Sequence, residues 1–408
     1  MSLIYAVESW FNVSNIVNVA HIGYFIPWVK FGDFIRAGGE VCLSLHLLNI
    51  VHWPFYPSLT PPQVIVDLVD VYAFLVNYVH SWEEVLHRTT YYRCLISAAL
   101  KAVGVPLTRV RFPQSSTYQG TEQFNMDLWK LLAMCSQQDV RDTGDELANT
   151  SMMSPLMTPL LQALSEEYLD VDVQFGGKDQ VRILNEAPNG SEREIKPMLT
   201  TYPLQRGLFS FEERMMPQLG CKKRIHMLNN ILPSLTGSKM SSSHPGHTKI
   251  MFLDNPQSVK AKVSGAHCTE GVVEGNGILP ILKHILFPVG ELRSLHLGGD
   301  EGLSRLPFCF PCSPQGTLFS LHTEFENGAF SICKHYRSYE ELEQDYVAKK
   351  ISPGALKKAV AEALNKLLEP IRQEYEVNEE WRESDRFGYP EDWLESPKMG
   401  SDEGFAII

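Results

Sequence analysis

The sequence predicts an α/β protein in which a parallel sheet is followed by a helical second domain. Short apolar segments that are typical of buried strands alternate with helical patterns over the first two thirds of the chain, and such alternation is typical of a parallel sheet. The last third carries amphipathic helical patterns instead. A chain of 408 residues is long enough for about two domains, so each part can bury a core of its own.

Composition and charge exclude several classes of protein. Hydrophobic residues make up 44% of the chain and charged residues 21%, which argues against a disordered, collagen-like or membrane-embedded protein. The formal net charge of -12 excludes RNA binding by overall positive charge. An RNA partner therefore requires a local basic patch. Lys222, Lys223 and Arg224 are candidates for it, and a solvated basic turn is the other interpretation.

Two features predict a cytoplasmic protein with no membrane span. The longest apolar stretch, residues 64–79, contains Asp67 and Asp70 and is shorter than the ~20 apolar residues that cross a bilayer. The N-terminal segment before His21 contains no Lys or Arg and includes Glu8, which fits neither a secretory signal nor a transit peptide.

The cysteines predict reduced thiols. The chain has eight, and most are isolated, so a disulfide framework is not expected. Only Cys309 and Cys312 form a C-x-x-C pair, in a proline-rich segment. We interpret this pair as part of a loop and assign no metal site; a zinc site is the alternative interpretation.

The N-terminal elements are a helix, a strand and a second helix. The first helix follows His21 and has Pro27 in its first turn. Residues 40–51 are short and apolar, as in a buried strand, and residues 89–103 predict a helix that ends at Gly104.

The middle of the chain repeats this alternation. Residues 123–135 and 160–168 have helical patterns, and residues 171–175 alternate as a strand does. The strand runs into the turn Gly176-Gly177, and a polar helix begins near Asp179.

The C-terminal third predicts helices and a tail. Residues 277–286 and 352–375 are amphipathic, and Ser352 is placed to cap the second of these helices. After Glu376 the chain is acidic and rich in Pro and Gly, so residues 377–408 are expected to be a solvated tail.

Three short segments point to nucleotide chemistry, although each has a simpler interpretation. His21 and Gly23 at a helix start would let a phosphate approach backbone N–H groups, but they also fit an ordinary helix cap. Lys239 with the hydroxyls of residues 241–243 would clamp phosphate charge, but a flexible serine linker is also consistent. The segment 174–180 ends a strand with two glycines and an acid that could face a ribose, or it is a tight turn.

Taken together, the three segments resemble the signature set of a class I aminoacyl-tRNA synthetase. HIGY at 21–24, KMSSS at 239–243 and QFGGKDQ at 174–180 are most similar to the tyrosyl-tRNA synthetases of eukaryotic cytoplasm and archaea. The resemblance extends over most of residues 19–376. A tryptophanyl enzyme shares the two ATP motifs, but QFGGKDQ and the C-terminal helix look more tyrosyl.

The resemblance implies a fold and an activity. The fold is a Rossmann-like catalytic domain followed by an all-helical anticodon-binding domain, in a homodimer. The activity is the formation of tyrosyl-adenylate from ATP and L-tyrosine and the transfer of tyrosine to tRNA(Tyr). The expected domains are residues 1–253 for catalysis, 254–376 for the anticodon, and the tail 377–408.

The resemblance also implies roles for individual residues. His21 and Lys239 would stabilise the charge that develops on the phosphates, together with Mg²⁺. Further residues are implied around ATP: Gly23, Tyr24, Gly176, Gly177, Asp179, Met240, Ser241, Ser242 and Ser243. Tyrosine would be held by Gln162 and Gln180, which match the family positions for its amino group.

Several positions depart from the family pattern. The family carries a Tyr and an Asp where this chain has Thr158 and Ser165, and an Asp where it has Thr117. A substrate-binding Tyr expected before His21 is replaced by the segment 11–14, and the strand end that resembles ADLHA reads LHLLN at 45–49. Two alternatives therefore stay open: a catalytically impaired paralogue with a binding role, and an amino-acid-activating enzyme of altered specificity.

Three segments look like insertions relative to the family. They cover residues 54–80, 188–210 and 303–318. They are either surface loops of a diverged protein or retained in-frame introns.

Overall fold

A computed structural model describes residues 2–6, 63–77, 80–105, 107–177, 182–183, 205–229, 232–237, 246–296, 316–324 and 331–390. Its centre is a five-stranded sheet in which every pair of neighbouring strands is parallel. In chain order the strands are β1 (Ser2–Ala6), β2 (Gln63–Asp67), β3 (Val110–Arg111), β4 (Val173–Gly177) and β5 (Ile225–Asn229). They lie in the order β3-β2-β1-β4-β5, as in a doubly wound nucleotide-binding sheet.

Helices of the first part of the chain connect and cover these strands. In chain order they are α1 (Asp70–Asn77), α2 (Trp82–Ala102), α3 (Ser115–Gln119), α4 (Glu122–Met134), α5 (Gln137–Arg141), α6 (Asp145–Ala148), α7 (Thr158–Tyr168) and α8 (Leu208–Met215). The predicted helices at 89–103, 123–135 and 160–168 are confirmed as α2, α4 and α7. Helix α2 starts earlier than predicted, because Ser81 and Glu84 form a capping box at its N-terminus.

The prediction of an insertion at 54–80 is wrong for residues 63–77. Val64, Ile65 and Val66 are almost fully buried, because β2 lies inside the sheet between β1 and β3. The strand predicted at 40–51 and the helix after His21 lie outside the described residues.

The second part of the chain is mainly helical. Its helices are α9 (Pro256–Gly265), α10 (Leu279–Ile281), α11 (Phe287–His296), α12 (Tyr339–Val347), α13 (Pro353–Val377) and α14 (Glu379–Gly388), and a π-helical turn, Leu282–Leu286, joins α10 to α11. The prediction that this part is all-helical is wrong, because β6 (Phe319–Glu324) and β7 (Ser331–Tyr336) form an antiparallel hairpin. Phe319, Ser320 and Leu321 are all buried, so strand β6 packs into the core.

Helix α13 confirms the amphipathic prediction. Ser352 accepts a hydrogen bond from the backbone N–H of Ala355 and caps the helix, and Pro353 occupies its first turn. The buried face consists of Leu356, Val360, Ala361, Ala363, Leu364, Leu367, Leu368 and Ile371. These residues belong to the same buried cluster as residues of β2 and α2, so one core joins the two parts of the chain.

The prediction of a solvated tail from residue 377 is wrong as far as residue 390. Helix α14 packs on α2, and its Trp381 is fully buried against Tyr91. Arg88 donates from Nε to the carbonyl oxygen of Gly388 at 2.6 Å, which ties down the end of the helix. Residues 391–408 lie outside the described part.

The ends of the other two predicted insertions are also part of the fold. Leu208 and Phe209 open α8 and are buried, and Leu318 is buried next to the hairpin. Within the two segments the structure describes residues 205–210 and 316–318. The short strand Gln205–Arg206 pairs with Arg182–Ile183, which precedes the segment 188–210.

Candidate functional site

The strand order places a crevice at the carboxyl ends of β1 and β4. The chain winds outward from β1 through β2 to β3 and then returns to the other side of β1 with β4, so the two neighbours β1 and β4 connect in opposite directions. Ligands of doubly wound proteins bind at this switch point. Gly176 and Gly177 end β4 there, paired with Leu228 and Asn229 of β5.

Most of the residues predicted to bind ATP lie outside the described part of the chain. They are His21, Gly23, Tyr24, Asp179, Lys239, Met240, Ser241, Ser242 and Ser243. The predicted tyrosine ligand Gln180 lies outside it as well. Their roles therefore stay predictions.

The glycine two positions before the KMSSS segment is held tightly. Gly237 has φ +82, and a Cβ atom there would lie 1.9 Å from the carbonyl oxygen of Gly275. The backbone N–H of His267 donates to the carbonyl oxygen of Leu235 at 2.7 Å. The predicted ATP loop thus starts from a backbone that is packed directly on the second part of the chain, and only glycine fits at its first position.

One face of α7 is polar and buried. Thr158, Gln162, Ser165 and Glu166 follow a helical spacing of four, seven and eight residues from the first, and all are nearly inaccessible to solvent. The hydroxyl of Thr158 donates to the carbonyl oxygen of Pro155 at 2.8 Å.

Ser165 belongs to a hydrogen-bonded chain that reaches the end of β2. Its Oγ lies 2.8 Å from the hydroxyl of Tyr118, which donates to Oδ2 of Asp67 at 2.7 Å. Ser115 also donates to Oδ2 of Asp67, at 3.1 Å. Gln119 donates from Nε2 to Ser165 Oγ at 3.3 Å. Tyr118 of α3 therefore links the carboxyl of Asp67 on β2 to Ser165 on α7, where the family carries an aspartate.

Asp67 is a buried carboxyl with spare acceptor capacity. It is fully inaccessible, and its Oδ1 has no hydrogen-bond partner among the described residues. Burial raises the pKa of Asp67 to about 7 against the hydrogen bonds from Tyr118 and Ser115, and the charge of Asp70 adds to the rise. Sequence analysis missed this residue because it lay in a segment interpreted as an insertion; the available signal was an acid at the end of the apolar run 64–66.

A second buried polar cluster lies beside the first. It contains Gln162 and Glu166 of α7, Gln174 of β4, Glu212 of α8 and His226 of β5, all of which have buried side chains. His226 Nε2 lies 2.8 Å from Glu166 Oε1 and 3.3 Å from Glu212 Oε2. Glu166, Glu212 and His226 are residue types that bind divalent cations, but His226 Nε2, Glu166 Oε1 and Glu212 Oε2 are engaged with one another and with Gln174.

His226 offsets part of the negative charge of this cluster. Burial lowers the pKa of His226. The hydrogen bonds with Glu166 and Glu213 and the negative charges of these two residues outweigh this effect, so the pKa is raised. Phe209 stacks on the imidazole with a centroid distance of 4.3 Å. The arrangement favours a cationic imidazole between carboxylates.

Comparisons with known proteins agree with this geometry. Residues 62–369 match the family model of class I tRNA synthetases for tryptophan and tyrosine. The chain belongs to this family. The described residues of this synthetase include its central strands and the polar face of α7.

Named relatives of the synthetase are tyrosine enzymes. It is 34% identical to the cytoplasmic tyrosine–tRNA ligase of Saccharomyces cerevisiae, over 91% of this chain and 77% of the relative. It is also 34% identical to that of Danio rerio, over 91% of this chain and 56% of the relative. It therefore spans only about half the length of the fish protein.

Solved structures share the fold. The tyrosyl-tRNA synthetase of Archaeoglobus fulgidus, complexed with L-tyrosine, has a TM-score of 0.63 and 25% identity, and the match covers 91% of this chain and 89% of that one. The tryptophanyl-tRNA synthetase of Giardia lamblia has a TM-score of 0.54 and 16% identity, covering 94% and 81%, which shows the fold alone.

The basic candidates for RNA binding in this synthetase are largely neutralised. Arg224 has a buried side chain and pairs with Glu167 at 2.7 Å, and Lys222 pairs with Asp170 at 3.0 Å. These contacts favour a basic turn paired with acids over a free cationic patch, but the buried side chain of Arg224 shows that the turn is not fully solvated, as the sequence interpretation had it.

Proposed function

We propose that this synthetase is a tyrosine–tRNA ligase. The curated relatives that it matches carry that activity in their names. The single structural observation that carries the proposal is the buried polar wall that Gln162 and Ser165 form on α7 with Tyr118 and Asp67 beside them. Such a wall suits an amino acid that presents an ammonium group at one end and a phenol hydroxyl at the other.

The first reaction joins tyrosine to ATP. A carboxylate oxygen of tyrosine attacks the α-phosphorus, the bond to the bridging oxygen breaks, and pyrophosphate leaves as Mg²⁺ pyrophosphate. Mg²⁺ enters with ATP as part of the substrate. His21 and Lys239 would stabilise the charge on the phosphates, and Gly176 and Gly177 would let the ribose approach β4.

The second reaction transfers tyrosine to tRNA. A ribose hydroxyl at the 3′ end of the tRNA attacks the carbonyl carbon of the adenylate, and AMP leaves with the bonding electrons and takes up the proton. Both reactions depend on positioning and electrostatic stabilisation, so no covalent intermediate with the enzyme is required.

Recognition of the phenol hydroxyl would combine Ser165, Tyr118 and Asp67. Rejection of phenylalanine requires buried polar groups that stay unpaired when the hydroxyl is missing, and tyrosyl-tRNA synthetases are the standard case of this effect. Ser165 alone is uncharged, but Tyr118 connects it to the buried carboxyl of Asp67 over 2.8 and 2.7 Å. A carboxyl on β2 would therefore take the place of the one that the family carries on α7.

A second copy of the chain is the partner that the surface of α4 fits. Met126, Trp129 and Leu132, spaced three residues apart on α4, are 42%, 61% and 42% exposed, whereas Phe124 and Leu128 are buried. Exposed apolar surface of this kind marks interaction sites. The resemblance implies a homodimer, and we assign this face to it.

The compartment we propose is the cytoplasm. The named relatives are described as cytoplasmic. Among the described helices, none has the length and the apolar character that crossing a bilayer requires.

Charging of tRNA tests the proposal. Purified protein is expected to attach labelled tyrosine to total tRNA in the presence of ATP and Mg²⁺, and Lys239→Ala is expected to lose this activity. Lys350→Ala, at an exposed lysine that pairs with Asp345, is the matched control and should charge as wild type does. A folded wild-type protein that charges no tRNA with tyrosine would contradict the proposal.

A further inference from the structure

We propose that Gln174 is a positioning residue for the α-amino group of tyrosine. It would orient the amide of Gln162 through a relay that starts at the buried acids Glu166 and Glu212. The inference rests on the proposed function, because it takes Gln162 as the residue that meets the amino group. Neither Gln174 nor the two acids were among the residues predicted from the sequence.

The hydrogen bonds around Gln174 select one orientation of its amide. Only when its nitrogen faces the two acids and its oxygen faces Gln162 are both ends satisfied. In that orientation the nitrogen donates to Glu166 and, at 3.0 Å, to Glu212, and the oxygen accepts from Nε2 of Gln162 at 2.6 Å. Carboxylates are acceptors only, so the reverse orientation would place oxygen against oxygen.

The oriented amide of Gln174 in turn fixes the orientation of the Gln162 amide. The two ends of a glutamine amide have nearly the same shape, so an isolated Gln162 could present either its oxygen or its nitrogen to a ligand. Because Gln174 accepts from the nitrogen of Gln162, the oxygen of Gln162 is left for the ligand. An ammonium group is a donor only and needs such an acceptor.

The fold holds the start of the relay rigidly. Gln174 and His226 are directly paired neighbours on β4 and β5, so their side chains leave the sheet on the same face. His226 lies 2.8 Å from Glu166 and 3.2 Å from Glu213, and Phe209 covers its ring. Glu166 and Glu212 are 2% and 1% exposed, so water does not compete for the bonds to Gln174.

The test compares two ligands that differ only in the amino group. Dissociation constants are measured for L-tyrosine and for 3-(4-hydroxyphenyl)propionate, which lacks the amino group. The dissociation constant of the propionate divided by that of L-tyrosine reports recognition of the amino group. Gln174→Met, which keeps the volume, is expected to lower this ratio by about tenfold, the usual scale for a charge-assisted hydrogen bond. The affinity for the propionate should change little.

Further variants separate positioning from a structural role. In a Gln162→Ala background, Gln174→Met is expected to have no further effect on the ratio, because the relay then ends at a missing group. If Gln174→Met is poorly folded, Glu212→Gln removes one charge from the cluster with little change in shape, and a smaller fall in the ratio is expected.

The outcomes are distinguishable from failure of the proposed function. A wild-type protein that does not bind tyrosine contradicts the proposed function itself. A wild-type protein that prefers tyrosine over the propionate, with an unchanged ratio in both Gln174→Met and Glu212→Gln, overturns the relay. Equal weakening of both ligands also overturns it, because that is the result of a merely structural role.

Discussion

Ser165 and Asp67 are joined through the hydroxyl of Tyr118. Ser165 stands where the family carries an aspartate, yet the nearest carboxyl is only one tyrosine hydroxyl away. Asp67 reaches this place from the end of a different element, the strand β2, and its second oxygen has no partner among the described residues. A buried carboxyl therefore lies close to α7, the helix that we propose to hold the amino acid.

Replacing Asp67 should weaken discrimination between tyrosine and phenylalanine. Above about pH 7, where Asp67 is ionised, Asp67→Asn removes a charged acceptor from the hydroxyl of Tyr118. The preference for tyrosine over phenylalanine in ATP–pyrophosphate exchange is then expected to fall about tenfold or more. The measurement is the ratio of kcat/KM values for the two amino acids.

A swap variant is the control for this prediction. Asp67→Asn combined with Ser165→Asp returns a carboxyl to the family position and is expected to recover much of the discrimination. An unchanged ratio in Asp67→Asn would show that this carboxyl has no part in recognition of the hydroxyl.

The raised pKa of Asp67 predicts a pH-dependent stability. The folded protein keeps the proton of Asp67 up to about pH 7, whereas the unfolded chain releases it near the ordinary value of 3.8. This group therefore favours folding most at low pH, and its contribution is lost as pH rises toward 7, by up to about 1.4 kcal/mol per pH unit.

Urea unfolding of wild type and Asp67→Asn at pH 5, 6, 7 and 8 measures this effect. The free energy of unfolding of wild type, relative to the variant, should fall between pH 5 and 7 and level off above. A difference that is constant over the whole range would contradict the burial of an ionisable Asp67.

For single residues, the sequence could predict which positions belong to the candidate site but not which side chains they contact. Gln162 and Ser165 were predicted from the family resemblance, and both lie on the buried polar face of α7. Asp67, Gln174 and Glu212 were not predicted, because they lie on different elements and meet only through the order of the strands. Thr158 was named as a substituted position, and its hydroxyl is engaged by the backbone of Pro155.

Elements with strong end signals were predicted well. Helix α13 begins at the predicted cap Ser352, and α4 matches its prediction to within one residue at each end. Strand β2 was missed because its apolar run was considered together with the unmatched residues before it. Helix α14 was missed because its charged composition hides a narrow buried stripe of Trp381, Ser384 and Gly388.

The entry to the KMSSS segment gives a prediction about an element. Gly237→Ala adds a Cβ that would meet the carbonyl oxygen of Gly275 at 1.9 Å, in a left-handed backbone conformation. The start of the loop must shift, so kcat/KM for ATP in pyrophosphate exchange is expected to fall about tenfold or more, as for other displaced positioning elements.

Gly246→Ala is the matched control, because Gly246 follows the same loop and a Cβ there meets nothing within 4 Å. It should exchange as wild type does. Wild-type exchange by Gly237→Ala would show that the backbone contact does not position the loop.

At the scale of the whole molecule, one core joins the sheet to the C-terminal helices. Residues of β2, α2 and α13 belong to the same buried cluster, and α14 packs on α2. The α/β fold class was predicted correctly because alternation of strands and helices is a long-range pattern. The β-hairpin was not predicted, because its strands lie next to a segment interpreted as an insertion.

The exposed face of α4 predicts a dimer that a single charge can disrupt. Wild type is expected to have twice the 46.1 kDa mass of one chain in light scattering. Trp129→Glu places a charge at the most exposed apolar residue of this face and should shift the mass toward that of one chain.

Val377→Glu is the control for a charge at another exposed apolar site, at the end of α13, and should leave the mass unchanged. If Trp129→Glu keeps the wild-type mass, α4 is not the interface between copies.

Pyrophosphate exchange with each of the twenty amino acids tests the central claim most directly. The folded protein, with ATP and Mg²⁺, is expected to exchange with tyrosine and to reject phenylalanine, because the carboxyl of Asp67 stands in for the missing aspartate at position 165. Exchange with a different amino acid, or none from a folded and dimeric sample, would contradict the claim that this site activates tyrosine.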